Sequence, residues 1–148
     1  RKTKSKKMNR EKLLDLYNKY ELTKDDVYKH QHYVIITRKG IEKIQAKENI
    51  NITYDVIKCE TNFAVFKANA YISTKPNTTI ETFGSALKGA SFKDGNCNTW
   101  YVAEMAEKRA LSRAVLKLTG FYELGVFGED ESEDFKKVNK DKLINLNK

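Results

Sequence analysis

The chain has 148 residues, 32% charged and 40% hydrophobic, a balance that suits one folded domain with polar ends. Its formal net charge of +8 points to polyanionic partners, nucleic acid before an anionic membrane surface. No apolar run approaches the roughly 20 residues that span a bilayer, and the two cysteines, Cys59 and Cys97, have no metal-ligand or disulfide-framework spacing.

Taken in chain order, residues 1–12 carry Arg1, Lys2, Lys4, Lys6, Lys7, Arg10 and Lys12, and this run predicts a basic tail, disordered at its start. Arg1 in place of methionine is expected of a piece of a longer protein. From about residue 10 to 20, Leu13, Leu16, Tyr17 and Tyr20 share one helical face. Thr23-Lys-Asp-Asp26 resembles a capping box and predicts a second short helix running toward His30. Tyr33-Val-Ile-Ile36 reads as a strand. Thr37 then caps a helix from Arg38 to about Lys47, with Ile41 and Ile44 inward.

Three strands follow. Ile52, Tyr54 and Val56 alternate with polar residues in the first. In the second, Phe63 to Ile72, one face holds Ala64, Phe66, Ala68, Ala70 and Ile72. Glu60-Thr-Asn62 is the first turn and Lys75-Pro-Asn77 the second. The third strand runs from about Thr79 to Leu87, where Gly84 signals a bulge or a close backbone approach. A glycine-containing loop, 88–96, leads to Asn98 or Thr99 as the cap of a long helix.

That helix, Trp100 to Thr119, is sealed by Gly120. At 100° per residue, Trp100, Ala103, Ala110, Leu111, Ala114 and Leu118 form its inner face, with Glu104 and Glu107 turned toward it. Arg109, Arg113 and Lys117, at i, i+4 and i+8, are expected on the outer face as a track for a phosphate backbone. Phe121 to Phe127 can still pack on the core. Residues 129–134 are acidic and 135–148 rich in lysine and asparagine, read together as a disordered, solubilising tail. Folding of the acidic run back onto the basic elements is the alternative.

The fold class is therefore α+β: an antiparallel three-stranded meander packed against a long C-terminal helix, with an α-β-β-β-α core in a single domain over 13–128. An edge left open after the third strand predicts self-association.

The order of parts carries a resemblance. A short strand leads into a helix opening with Arg38-Lys39-Gly40. The meander ends in Phe83-Gly-Ser-Ala-Leu-Lys-Gly89. A long helix then carries Ala-Glu-Lys-Arg-Ala-Leu-Ser-Arg-Ala, residues 106–114, and closes on Gly120-Phe121. From about Tyr33 to Gly128 the chain resembles the Rad-fifty-two superfamily of single-strand annealing proteins, particularly its phage and bacterial members. The resemblance implies a ring or filament of identical subunits in the cytoplasm of a bacterial or phage-infected cell. Single-stranded DNA would lie in its basic groove with backbone inward and bases free to pair. It implies no nucleotide, no cofactor and no bond cleavage, and leaves open a partner nuclease or single-strand binding protein. The family's groove cations correspond to Arg38 or Lys39 and to Arg113. Helix geometry adds Arg109 and Lys117. Ser112 stands where some members carry a cation, which shifts contacts toward Lys108 and Arg109, and Lys88 in the glycine-bearing segment completes the candidate set.

Other readings weigh less. A double-stranded RNA-binding domain has the same element order, but its lysines open the second helix, whereas here the cations sit mid-helix at Lys108 to Lys117. An enzyme is not expected: His30-Gln-His32 has no carboxylate spaced to complete a metal site, and there is no phosphate-binding GxxxxGK motif. Tyr54, Phe66, Tyr71 and Phe83 could stack bases, but strand aromatics at period two are ordinarily core.

Overall fold

The computed structural model describes residues 2–31, 33–89 and 94–130, so the expectations for 131–148, for Lys93 and for His32 lie outside the described residues. The basic N-terminal run is helical: α1 covers Lys2–Lys19 as one element and absorbs both the expected tail and the short helix after it. Leu13, Leu16 and Tyr17 lie against the core, and Tyr20, just past the helix, is buried with its hydroxyl donating to Glu48 Oε1 at 2.6 Å.

The expected helix from Thr23 toward His30 is instead a turn and a strand, β1 (Val27–His30). Half of the capping box does form, since the Thr23 N–H donates to Asp26 Oδ2 at 3.0 Å. The chain leaves helical geometry there because Val27 and Tyr28 find partners across an antiparallel hairpin with β2 (Tyr33–Ile36), opposite Ile36 and Ile35. A β-branched and aromatic pair gains more from that cross-strand packing than a one-turn helix offers. At the far end of the chain β6 (Val126–Gly128) joins β2 in parallel, which gives a small sheet of order β1-β2-β6.

Thr37 caps α2 (Arg38–Glu48) as expected, its Oγ1 accepting from the Gly40 N–H at 3.2 Å. Asn49 ends the helix in the left-handed region, φ 49°, and its carbonyl receives the Ser73 N–H at 3.1 Å. The meander follows: β3 (Ile50–Cys59), β4 (Phe63–Ile72) and β5 (Lys75–Leu87), antiparallel in the order β3-β4-β5. The second turn lies at Ser73–Thr74, so Lys75-Pro-Asn77 already belongs to β5. Pro76 is tolerated there, at the start of an edge strand.

The third helix, α3 (Val102–Thr119), crosses the inner face of this sheet. Small residues make the approach close. Ala64, Ala68, Ala70 and Ala86 from the sheet and Ala106, Ala110 and Ala114 from the helix are all fully buried. Gly84 is the tightest point: a Cβ there would lie 2.1 Å from the Ala106 carbonyl oxygen and 2.5 Å from the Ala110 nitrogen. Thr82 Oγ1 ties the two layers, donating to the Ala110 carbonyl at 2.7 Å. The expected close approach at Gly84 is thus met by backbone on both sides.

The start and phase of α3 differ from expectation. Its N-cap is Tyr101 with no side-chain cap, while the Thr99 hydroxyl lies 3.5 Å from Cys97 Sγ instead of capping the helix. Trp100 lies before the helix and is exposed, as are Glu104 and Glu107, whereas Val102, Arg109, Ser112, Val115 and Leu116 are buried. The helix is rotated from the expected face because β6 and the residues after it cover its 109–112 side, with Gly128 seated on Ser112. Gly120 closes it at φ 86°. Phe121 and Val126 then enter the main core beside Ile36, Ile41, Ile44 and Leu116. Among the described residues no helix is long and apolar enough to cross a membrane.

Candidate nucleic-acid interface

The candidate cations come from three places in this fold. At the N-terminus of α2, Arg38 and Lys39 are both exposed, and Arg38 Nε lies 3.6 Å from Glu42 Oε1 one turn on. The first turn leaves its backbone N–H groups pointing outward, which favours a negative charge in front of it. Glu129 occupies part of that position: its Oε2 accepts from the Arg38 N–H at 3.1 Å.

Asp130 brings the α2 start to the middle of α3. Its carboxylate accepts from Ser112 Oγ at 3.4 Å. Burial is the largest influence on that carboxyl and pushes its pKa up, while the positive charges of Lys108 and Arg38 pull it down. Arg38 and Lys108, distant in sequence, therefore face one acidic group. The two leading residues of the acidic run are folded back on the basic elements and are not part of a free tail.

Arg109 is not on an outer face. The side chain is buried, with Nη1 donating to the Ser85 carbonyl at 2.7 Å, Nη2 to the Asn96 carbonyl at 2.6 Å and Nε to the Asp130 carbonyl at 3.3 Å. With its donors turned to backbone carbonyls in the interior, it is a structural cation and leaves the set of candidate phosphate contacts. The i, i+4, i+8 row is thereby shortened to Arg113 and Lys117. Arg113 is half-buried, with Nη1 on the Phe83 carbonyl at 2.8 Å. Lys117 is exposed, its ammonium 5.2 Å from the centre of the Tyr122 ring.

Lys88, just beyond β5, stands apart from this group, with its ammonium 5.1 Å from the centre of the Trp100 ring. The structure thus sets Arg38 and Lys108 against one carboxylate, keeps Arg113 and Lys117 on other sides of the same helix, and places Lys88 just beyond the end of β5. The strand aromatics split between faces: Tyr54 and Phe66 pack toward α3, and Phe83 is exposed on the outer face. Burial, and secondarily the negative charge of Glu107, raise the Tyr54 hydroxyl to about 12, so it remains a neutral packing group at physiological pH.

The outer edge of β5 is not open over its second half. Arg113 takes the Phe83 carbonyl and Arg109 the Ser85 carbonyl. Asn96 Oδ1 accepts the Leu87 N–H at 2.7 Å, and the Asn96 and Cys97 N–H groups donate to the Leu87 carbonyl at 3.0 Å. Asn96 was not singled out by sequence, and no spacing rule would have found it. The other edge strand is β3, with Val56 and Ile57 exposed beside a register shift.

No group of three or more His, Cys, Asp or Glu among the described residues is arranged to hold a metal ion. The outer sheet face carries a mixed-charge cluster, Lys67 3.6 Å from both Asp55 and Glu81. No family model, curated protein or solved structure matches this chain.

Proposed function

We propose that the chain binds single-stranded DNA along α3 and the N-terminus of α2 and anneals complementary strands as a homo-oligomer, without covalent chemistry. The observation that carries this reading is that Arg38 and Lys108 face one carboxylate while Arg113 and Lys117 lie on the same helix as Lys108, in a chain of net charge +8. Cations that hold a phosphate backbone leave the pairing edges of the bases free, which is what strand pairing requires. Self-association then falls to the β3 edge, since Arg109, Arg113 and Asn96 occupy much of the β5 edge.

The test is fluorescence anisotropy with labelled single-stranded DNA, duplex DNA and duplex RNA of one sequence, over a salt series. Single-stranded DNA is expected to bind best, with affinity falling steeply as salt rises. Lys117→Ala and Arg113→Ala should each weaken binding to every sequence and reduce the log–log salt slope by roughly 0.7 per lost phosphate contact. Lys117 makes the cleaner variant, because Arg113 also holds the β5 edge. An unchanged slope in both variants refutes the α3 track, and a preference for duplex RNA transfers the reading to double-stranded RNA binding.

A further inference from the structure

Tryptophan is highly buried on average in folded proteins. Here Trp100 keeps 65% and Tyr101 71% of its surface exposed, although the next residue, Val102, is buried with Ala64, Ala86, Cys97 and Ala106. The helix start is thus docked while its two rings are held in solvent. Lys88, whose ammonium lies over the Trp100 ring, is itself fixed. Its N–H donates to the Asn62 carbonyl at 2.8 Å, and it pairs with Cys97 across an isolated bridge.

The distance of this pair from Arg113 follows from the strand and helix that join them. Arg113 meets β5 at Phe83, and Lys88 is five residues further, about 16 Å at ~3.3 Å per residue. Along α3, Tyr101 and Arg113 are twelve residues apart, about 18 Å at ~1.5 Å per residue. Both routes give a span that a few nucleotides cover.

We infer that Trp100, with Lys88 beside it, is a stacking platform for one base of the bound strand, Lys88 meeting the adjoining phosphate. This rests on the single-strand reading above and adds to it a contact with the bases. An exposed indole next to an ammonium matches a ligand that is both planar-aromatic and anionic, as a nucleotide is. Every base has a π-face, so the contact tolerates any sequence. Stacking uses that face and leaves the pairing edge free, so it is compatible with annealing.

Trp100 is the chain's only tryptophan, so its emission reports on this site alone. Full-length protein is titrated with oligothymidylate while tryptophan emission and the anisotropy of labelled oligomer are followed in parallel. Emission should fall and saturate with the anisotropy, and Trp100→Ala should bind roughly 5- to 100-fold more weakly, with Trp100→Phe recovering part of the loss. Circular dichroism of Trp100→Ala, expected unchanged for so exposed a ring, separates lost stacking from lost fold. Anisotropy that rises with no change in emission, or Trp100→Ala binding like the parent, overturns the platform and leaves the cation track standing. No anisotropy change with any oligomer rejects both. Emission that shifts to the blue with protein concentration alone assigns the ring to contact with a second copy and overturns the inference.

Discussion

Gly84→Ala is the sharpest test of how α3 is seated, because all three of the nearest atoms to the added methyl are backbone. The new Cβ would lie 2.1 Å from the Ala106 oxygen, 2.5 Å from the Ala110 nitrogen and 3.1 Å from the Ala110 Cα. No rotamer relieves a contact with helix backbone, so α3 and β5 must part by roughly 1 Å to restore ordinary packing at this buried site. Overpacking of this kind costs ~1–3 kcal/mol, and loss of the Thr82–Ala110 hydrogen bond adds about 1 kcal/mol. Reduced entropy of the unfolded chain returns ~0.4–1 kcal/mol. The expected net loss is about 2–3 kcal/mol, against a total stability of ~5–15 kcal/mol. Urea unfolding followed by far-UV circular dichroism reads this as a lower midpoint, and a thermal melt as a drop of roughly 5–10 °C. Gly125→Ala is the control: nothing lies within 4 Å of its added methyl, so only strain at φ +80° acts, worth ~1–2 kcal/mol. A Gly84→Ala variant at least as stable as the parent would mean that the helix does not touch the sheet through its backbone, and the reasoning would fail.

Two further predictions concern buried charge. Arg109→Ala strips three carbonyls, those of Ser85, Asn96 and Asp130, of a charged donor in the interior. It should cost about 2–4 kcal/mol in urea unfolding, and stability equal to the parent's would return Arg109 to the surface. Asp26 contributes to the acid sensitivity. Burial alone would raise its carboxyl, but the Lys43 ammonium at 2.6 Å and the Thr23 N–H and hydroxyl outweigh that and hold it below its ordinary value. A lowered folded-state pKa contributes stability above the unfolded value of ~3.9 and loses it as pH falls through the folded value. Parent and Asp26→Asn should therefore differ by about 2 kcal/mol near neutral pH and converge in acid. A gap that persists undiminished through acid unfolding would contradict the assignment.

The elements with strong local signals were legible in the sequence. Thr37 caps its helix, the alternation of Ala64, Ala68, Ala70 and Ile72 marks the buried face of β4, and Gly84 marks a close approach. Each depends on a period or a cap that a few adjacent residues define. β1 and β6 were missed. β1 follows a Thr23–Asp26 capping-box signal that reads as a helix start, and β6, three residues long, pairs with a strand some ninety residues before it. The same limit applies to Arg109. Helical spacing puts it one turn from Arg113, and nothing local distinguishes a cation facing solvent from one facing Ser85, Asn96 and Asp130.

By itself the sequence determined the charge of the chain, the class of its fold and the helix and meander that make its core, because propensity, capping and periodicity act over a few residues. Only the tertiary structure decided which cations remain at the surface, that Glu129 and Asp130 confront Arg38 and Lys108, and that Trp100 is held out in solvent. The phase of a helix against its neighbours is set by whatever covers its second side. Here that cover is β6 and the two residues after it, and no local pattern encodes contacts closed over so long a separation.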